Sequence, residues 1–282
     1  MKKYYLELAG LRTVLCTPDE ITISERMRPF LCSPHAQTDC VISVRSCSAL
    51  PAFPESGVWH GAEFYDRCEE VSRIFHCSAP RAAAFAVTRL DRNGNITVDV
   101  LEAYLSYFQG TSGIFNRIGL ETLLLQHNGL LLHASLIEYK GIALAFTGPS
   151  GVGKSTQADL WHRCAGAQIL NGDRAALRKE IHGWQAYGSP YAGSSGIYIN
   201  RSAPLKALIV LRQGKENNLH PLGYTEALRC LYQELTVHHW ERDFVAAATD
   251  LCLDLLENIP VYLLECRPED SAVQLLKEGL KL

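Results

Sequence analysis

The chain has 282 residues, 47% of them hydrophobic and 20% charged, with a formal net charge of −3. This is the composition of an ordinary globular protein with a sizeable core, and its slightly acidic balance excludes recognition of a nucleic-acid backbone or an anionic membrane through bulk charge. Ten cysteines are scattered without a C-x-x-C pair and read as reduced thiols. The first residues lack a signal-peptide core and no run approaches the ~18 apolar residues of a bilayer span, so the expectation is a cytoplasmic protein with neither membrane nor nucleic-acid partners.

Residues 1–114 alternate short apolar or β-branched runs with Pro, Gly, Ser and Asn. Strands are expected over 4–8, 13–16, 41–44, 83–87 and 96–100, with a hairpin turn at Asp91-Arg92-Asn93-Gly94-Asn95. This β-rich region is assigned to recognition or assembly and carries no chemical motif. His35, His60 and His76 lie far apart in it and read as surface or satisfied histidines.

The second region, 115–282, opens with a buried helix over 115–126 on the spacing of Ile118, Leu120, Thr122, Leu124 and Leu125, stopped by Asn128-Gly129. A strand over 130–137, a turn over 138–141 and a second strand over 142–146 then form a hairpin. Pairing Ile137 with Ile142 places His133 beside Phe146, at the far end of the sheet from the turn.

The second strand runs into Gly148-Pro149-Ser150-Gly151-Val152-Gly153-Lys154-Ser155-Thr156, a complete G-x-x-x-x-G-K-[ST] phosphate-binding sequence. Glycines let successive backbone N–H groups face phosphate oxygens. Lys154 supplies a positive charge for the β- and γ-phosphates, and Ser155 a hydroxyl for Mg²⁺. The helix expected over 155–164 turns its positive end toward the anion.

A buried strand over 167–170 follows, ending in Asn171-Gly172-Asp173-Arg174. An acid at the tip of a strand next to the phosphate-loop strand is placed to hold a second position on Mg²⁺, and Asp173 fits that description. The Gly/Ser-rich stretch 188–196 is a lid, a substrate-positioning loop or a surface loop. Arg201 and Arg212 flank a buried strand over 205–211 and are within reach of a phosphate. Helices over 225–235 and 242–258, a strand over 261–266 and a helix over 271–280 complete an α/β domain.

Leu132-His133-Ala134-Ser135, the loop at 148–156 and the 170–174 segment together resemble the catalytic domain of the HPr serine kinase/phosphorylase family and, more remotely, PEP carboxykinase. That likeness covers about 130–215. Looser motifs, including Leu8-Ala9-Gly10-Leu11, 115–121, Gly188-Ser189-Pro190 and Pro260-Val261-Tyr262-Leu263, are similar to small HPr-kinase-like proteins of bacterial peptide-modification systems, including lasso-peptide precursor kinases. The resemblance implies an α/β fold with a C-terminal HPr-kinase/PEP-carboxykinase-like P-loop domain and a β-rich N-terminal region.

It also implies ATP and Mg²⁺ as cofactors. Gly148, Ser150, Gly151, Val152, Gly153, Lys154, Ser155 and Thr156 would bind the triphosphate, Ser155 and Asp173 would hold the metal, and Lys154, His133 and Asp173 would carry catalysis. The expected acceptor is a serine hydroxyl on a peptide or small protein, and the family is one of homo-oligomers. The family pattern has two adjacent acids before an Arg, whereas here Gly172 precedes Asp173. If Asp173 matches the second acid, either Asp173 or His133 must take the acceptor's proton; if it matches the first, the metal is left short of a ligand. A free small-molecule acceptor, a non-catalytic nucleotide-binding regulator and PEP-carboxykinase-type chemistry are the alternatives. Two other ATPase classes are disfavoured: an ABC-type enzyme for want of an LSGGQ-like signature, a DNA-directed one by the charge.

Overall fold

The structure, a computed structural model, describes residues 1–68, 71–91, 93–108 and 113–282. These form two compact units, Met1–Leu123 and Leu124–Leu282. The division falls within the short helix α1 (Leu120–Gln126), later in the chain than the 114 suggested by composition.

The first unit is built on an eight-stranded sheet. Its strands are β1 (Lys2–Leu8), β2 (Leu11–Thr17), β3 (Cys40–Cys47), β4 (Val58–His60), β5 (Glu63–Cys68), β6 (Val71–Cys77), β7 (Ala84–Leu90) and β8 (Ile96–Leu101), in the order β1-β2-β3-β8-β7-β6-β5-β4. All five expected strands are present. The turn joining β7 to β8 is closed by the Asp91 carboxylate, which accepts the backbone N–H groups of Asn93 and Asn95 at 2.9 and 2.8 Å. Arg92, part of that expected turn, lies outside the described residues.

Strands β5 and β6 go unrecognised in the sequence because charged residues interrupt their alternation, and β4 is only three residues long. Asp66 and Arg73 stand opposite each other on β5 and β6 and form an ion pair there, so the charges satisfy one another across the ladder.

The second unit is mixed α/β. Its strands are β9 (Gly129–Tyr139), β10 (Ile142–Thr147), β11 (Gln168–Asn171), β12 (Arg174–Glu180), β13 (Gly183–Tyr187), β14 (Ser202–Gln213), β15 (Asn218–Pro221) and β16 (Val261–Cys266). The helices are α2 (Lys154–Ala165), α3 (Tyr224–Glu234), α4 (Arg242–Asn258) and α5 (Asp270–Leu280).

Two long strands are shared by two sheets. The first half of β9 pairs with β12, while its second half pairs with β10 and β11. Likewise β14 begins against β13 and continues between β10 and β16. The chain changes sheet at His133–Ala134 on one strand and at Pro204–Leu205 on the other.

Both faces of β10 are buried. Ala143 and Ala145 join a core that includes Leu231 of α3 and Phe244 and Cys252 of α4. Leu144 and Phe146 join a second core with Trp161 of α2 and Val273 and Leu276 of α5. A strand covered on both sides reads as a continuous apolar run, as this one does.

The β9–β10 hairpin forms with a register different from the expected one. Its loop is only Lys140-Gly141, with φ of 50° and 81°, the two left-handed residues of a tight primed turn. Ile137 therefore pairs with Leu144 rather than Ile142, a slip of two that preserves which face each side chain occupies. Ala134 pairs with Thr147, so His133 stands one step further on, level with the start of the 148–156 loop.

A second difference concerns the strand before Asp173. β11 pairs with β9, and the neighbours of β10 are β9 and β14. The antiparallel hairpin partner occupies the place next to β10, so the strand preceding Asp173 is one position removed from the strand entering the loop.

Candidate active site

The loop between β10 and α2 is shaped by glycine. Gly153 caps α2 with φ of 114°, a backbone that side chains rarely adopt. Gly148 has φ of 135°, and a Cβ there would come within 3.2 Å of the Leu211 carbonyl oxygen. Ser150 and Gly151 are exposed, and Val152 is half-buried and packs on the core beneath α2. Ser155 and Thr156 present exposed hydroxyls on the first turn of that helix, and Gln157 donates its backbone N–H to Gly153 O at 2.9 Å.

Lys154 is buried, and its Nζ donates to the carbonyls of Gly148 at 2.7 Å and Pro149 at 3.2 Å. Burial pushes its ammonium down from the usual lysine value, opposed by the charges of Glu234 and Asp173. The loop thus holds a cation against its own carbonyls with two carboxylates near enough to affect it.

His133 lies at the point where β9 changes sheet. Its backbone carbonyl accepts the Thr147 hydroxyl at 3.0 Å, which ties it to the end of β10. Its ring Nδ1 is 2.9 Å from Glu234 Oε2, and its Nε2 is 3.7 Å from Asp173 Oδ1.

Asp173 sits at the corner between β11 and β12. Asn171 builds that corner: its Oδ1 accepts the backbone N–H groups of Asp173 and Arg174, each at 2.8 Å, and its Nδ2 donates to Ser189 O and Tyr191 O. Arg174 lies 3.9 Å from Asp173 Oδ2, donates to Thr236 Oγ1 at 3.3 Å and stacks over the Tyr191 ring. The Asp173 side chain is 30% exposed, open on one side to a ligand.

Glu234 has no sequence signal. It is the last residue of α3, a hundred residues beyond His133, and nothing local marks it. The chain that follows α3 runs back along the sheet: Leu235 bridges to Leu132, and Thr236 donates its backbone N–H to Leu131 O at 2.9 Å. That docking delivers the Glu234 carboxylate, 12% exposed, to the imidazole.

Gly172 has a steric reason. A Cβ at this position would lie 1.9 Å from Ser195 Oγ and 2.5 Å from Ser195 Cβ. The 193–195 turn is seated on the Gly172–Asp173 corner, with Gly193 packed on the Asp173 side chain. The place where an adjacent acid would project is occupied by a serine.

Two cavities flank the loop. The larger, about 490 Å³, is lined by the loop from Gly148 to Val152, by the strand ends at Leu211, Arg212 and Leu263, and by Gln233 and Glu234. The smaller, about 260 Å³, is lined by Ser135, Ser155, Asp159, Gly172, Ser194 and Ser195. The 188–196 stretch thus forms a wall of this cavity.

Of the two arginines expected near phosphate, Arg212 borders the larger cavity and pairs with Glu265 at 3.2 Å. Arg201 is paired with Glu138 at 2.6 Å, at the hairpin-turn end of β9 and away from the loop. In the first unit, His76 is a satisfied buried residue, 2.9 Å from both Glu63 and Thr88.

No group of three or more His, Cys, Asp or Glu side chains able to hold a metal occurs among the described residues. The donor set of one exposed serine hydroxyl and one open carboxylate fits Mg²⁺ that arrives with nucleotide phosphates supplying further ligands, and does not fit a protein-only metal centre. No helix of the described residues is long and apolar enough to cross a membrane.

Residues 118–269, over half of the chain, match the family described as SynChlorMet cassette protein ScmC, and the chain belongs to that family. Among solved structures, the Hpr(Ser) kinase/phosphatase from Coxiella burnetii aligns at 12% identity over 53% of this chain and 95% of its own. The TM-score is 0.32, too low to bear on fold or activity. No curated protein matches the chain.

Proposed function

We propose that this ScmC-family chain is a Mg·ATP-dependent kinase that transfers the γ-phosphoryl group to a serine hydroxyl of a peptide or small protein. The second unit then serves as an HPr-kinase/PEP-carboxykinase-like P-loop domain, acting in the cytoplasm, and the β-rich first unit serves recognition or assembly. The observation that carries this reading is convergence: a phosphate-binding sequence with its buried Lys154, the imidazole of His133 and the carboxylate of Asp173 meet where β9 passes from one sheet to the other.

Phosphoryl transfer asks the protein mainly for positioning and charge neutralisation. The loop's backbone N–H groups, Lys154 and the N-terminus of α2 suit a triphosphate. Ser155 and Asp173 are the residues to hold Mg²⁺, which neutralises phosphate charge when bound. The acceptor enters through the larger cavity, because Glu234 lines it and Glu234 touches His133.

The test is incubation of the purified chain with Mg²⁺, γ-labelled ATP and candidate serine-containing peptides, reading peptide mass with Lys154→Ala as control. The family's description as a cassette protein directs the choice of peptides to the products of neighbouring genes. One phosphate gained on a peptide, absent in the control, is the expected result. Saturation by a free compound instead would assign a small-molecule kinase, and nucleotide binding without transfer would assign a regulator.

A further inference from the structure

Among the groups around the loop, the Glu234–His133 contact has the most constrained chemistry. An ionised carboxylate accepts hydrogen bonds and donates none, so the 2.9 Å contact requires the proton of the neutral imidazole to be on Nδ1. An imidazole free in water favours the opposite tautomer. Nε2, at 3.7 Å from Asp173, is beyond hydrogen-bond distance of that carboxylate and keeps its lone pair. The free nitrogen is held on the Asp173 side of the ring, beside the groups proposed to hold the reacting phosphate.

We infer that Glu234 is a positioning residue that fixes His133 in the Nδ1–H tautomer, so that His133 Nε2 receives the acceptor hydroxyl's proton. This rests on the kinase reading above and specifies its base. As the acceptor oxygen forms its bond to the γ-phosphorus, the bond from that phosphorus to the bridging oxygen breaks and ADP leaves with the electron pair. The acceptor's proton moves to Nε2, giving an imidazolium flanked by Glu234 and Asp173, and is later released to water. Asp173 is then free to act on the metal, and the serine-filled space beside Gly172 needs no second acid.

The placement of Glu234 supports a positioning role. Its backbone is locked by the pairing of Leu235 and Thr236 with the strand that carries His133, so the two groups move together. Its side chain is mostly buried, where a charge–imidazole contact is screened little by water.

The decisive measurement is the tautomer of His133 by ¹⁵N nuclear magnetic resonance on the full chain, at a pH where the ring is neutral, with His133→Gln to assign the signal. The wild type should show protonated Nδ1 and bare Nε2. Glu234→Gln, whose amide oxygen still accepts from Nδ1–H, should retain this state, and Glu234→Leu should lose it. In peptide phosphorylation, Glu234→Leu should lower kcat about 100-fold with KM for ATP unchanged, and Glu234→Gln should recover most of the loss. Protonated Nε2 in the wild type, or an unchanged tautomer in Glu234→Leu, overturns the inference. The spectrum is read without any acceptor, so failure to find phosphotransfer would remove the kinase reading and leave the Glu234–His133 assignment standing on its own result.

Discussion

The backbone carbonyl of Asp173 accepts the N–H of Ala134 at 2.9 Å, joining the corner between two strands to the residue beside His133. The separation of the carboxylate from the imidazole is therefore set by main-chain pairing, and the Asp173 side chain is not needed to maintain it. Asp173→Asn should fold with a thermal midpoint close to wild type and lose 100-fold or more in phosphotransfer, on the scale of a lost transition-state contact. Calorimetry and peptide phosphorylation measured on one preparation check this; a large fall in midpoint would make the residue structural.

Lys154 presents a different balance, because its ammonium is buried against the Gly148 and Pro149 carbonyls. In the proposed reading, its charge serves the nucleotide's phosphates. In the wild type, Mg²⁺ with a non-hydrolysable ATP analogue at 100 times its Kd should stabilise the fold by about 2.7 kcal/mol. Lys154→Ala should show little of this stabilisation and no transfer. A full shift in the variant would dissociate the loop from nucleotide binding.

The phosphate-loop sequence, the helix after it and the succession α3, α4, β16, α5 are legible in the chain because each is a local pattern, whereas β12, β13 and β15 are not. The helix over 242–258 and the strand over 261–266 coincide with the observed elements. What is not legible depends on choices with nearly equal local signals. A two-residue turn at Lys140-Gly141 shifts the hairpin by two, and nothing in β9 announces that its halves serve different sheets. Glu234 belongs to the same class, since its partner is brought to it only by the docking of α3. The charged pair Asp66–Arg73 hides two strands of the first unit from any reading of alternation.

The serine at 195 fills the space a second acid would need, so Gly172→Asp alone should be harmful. With Ser195 Oγ 1.9 Å from the new Cβ, the 193–195 turn must be displaced, at a cost of about 1–3 kcal/mol. Ser195→Gly removes the obstructing side chain, and the double variant should recover much of that stability. A double-mutant cycle by chemical denaturation measures the coupling; strict additivity would mean the turn moves freely.

Assignment of the larger cavity to the acceptor makes the exposed Gln233 a point of control. Gln233→Trp narrows that cavity from its rim. It should raise KM for a peptide acceptor severalfold while nucleotide affinity stays constant. The reverse pattern, with ATP affinity lost and peptide KM kept, would place the nucleoside in this cavity and send the acceptor to the smaller one lined by Ser194 and Ser195.

The first unit should be labile to acid through its buried pair. Burial pushes the His76 imidazole down. For Glu63, burial pushes the carboxyl up, but hydrogen bonds from His76 and Tyr65 outweigh it and hold the group at about 2. Both folded values lie below those of the unfolded chain, so the unfolded chain binds more protons and stability falls as pH falls. The His76 contribution is complete above about 6.5 and fades below it; that of Glu63 is complete above about 4.3 and is lost as pH drops through about 2. Glu63→Gln should cost about 1–2 kcal/mol at pH 7 and flatten the decline below pH ~4.3, since its own proton uptake is gone. Calorimetry from pH 7 to 3 on both proteins separates the terms, and an undiminished acid slope in the variant would assign the lability to other carboxylates.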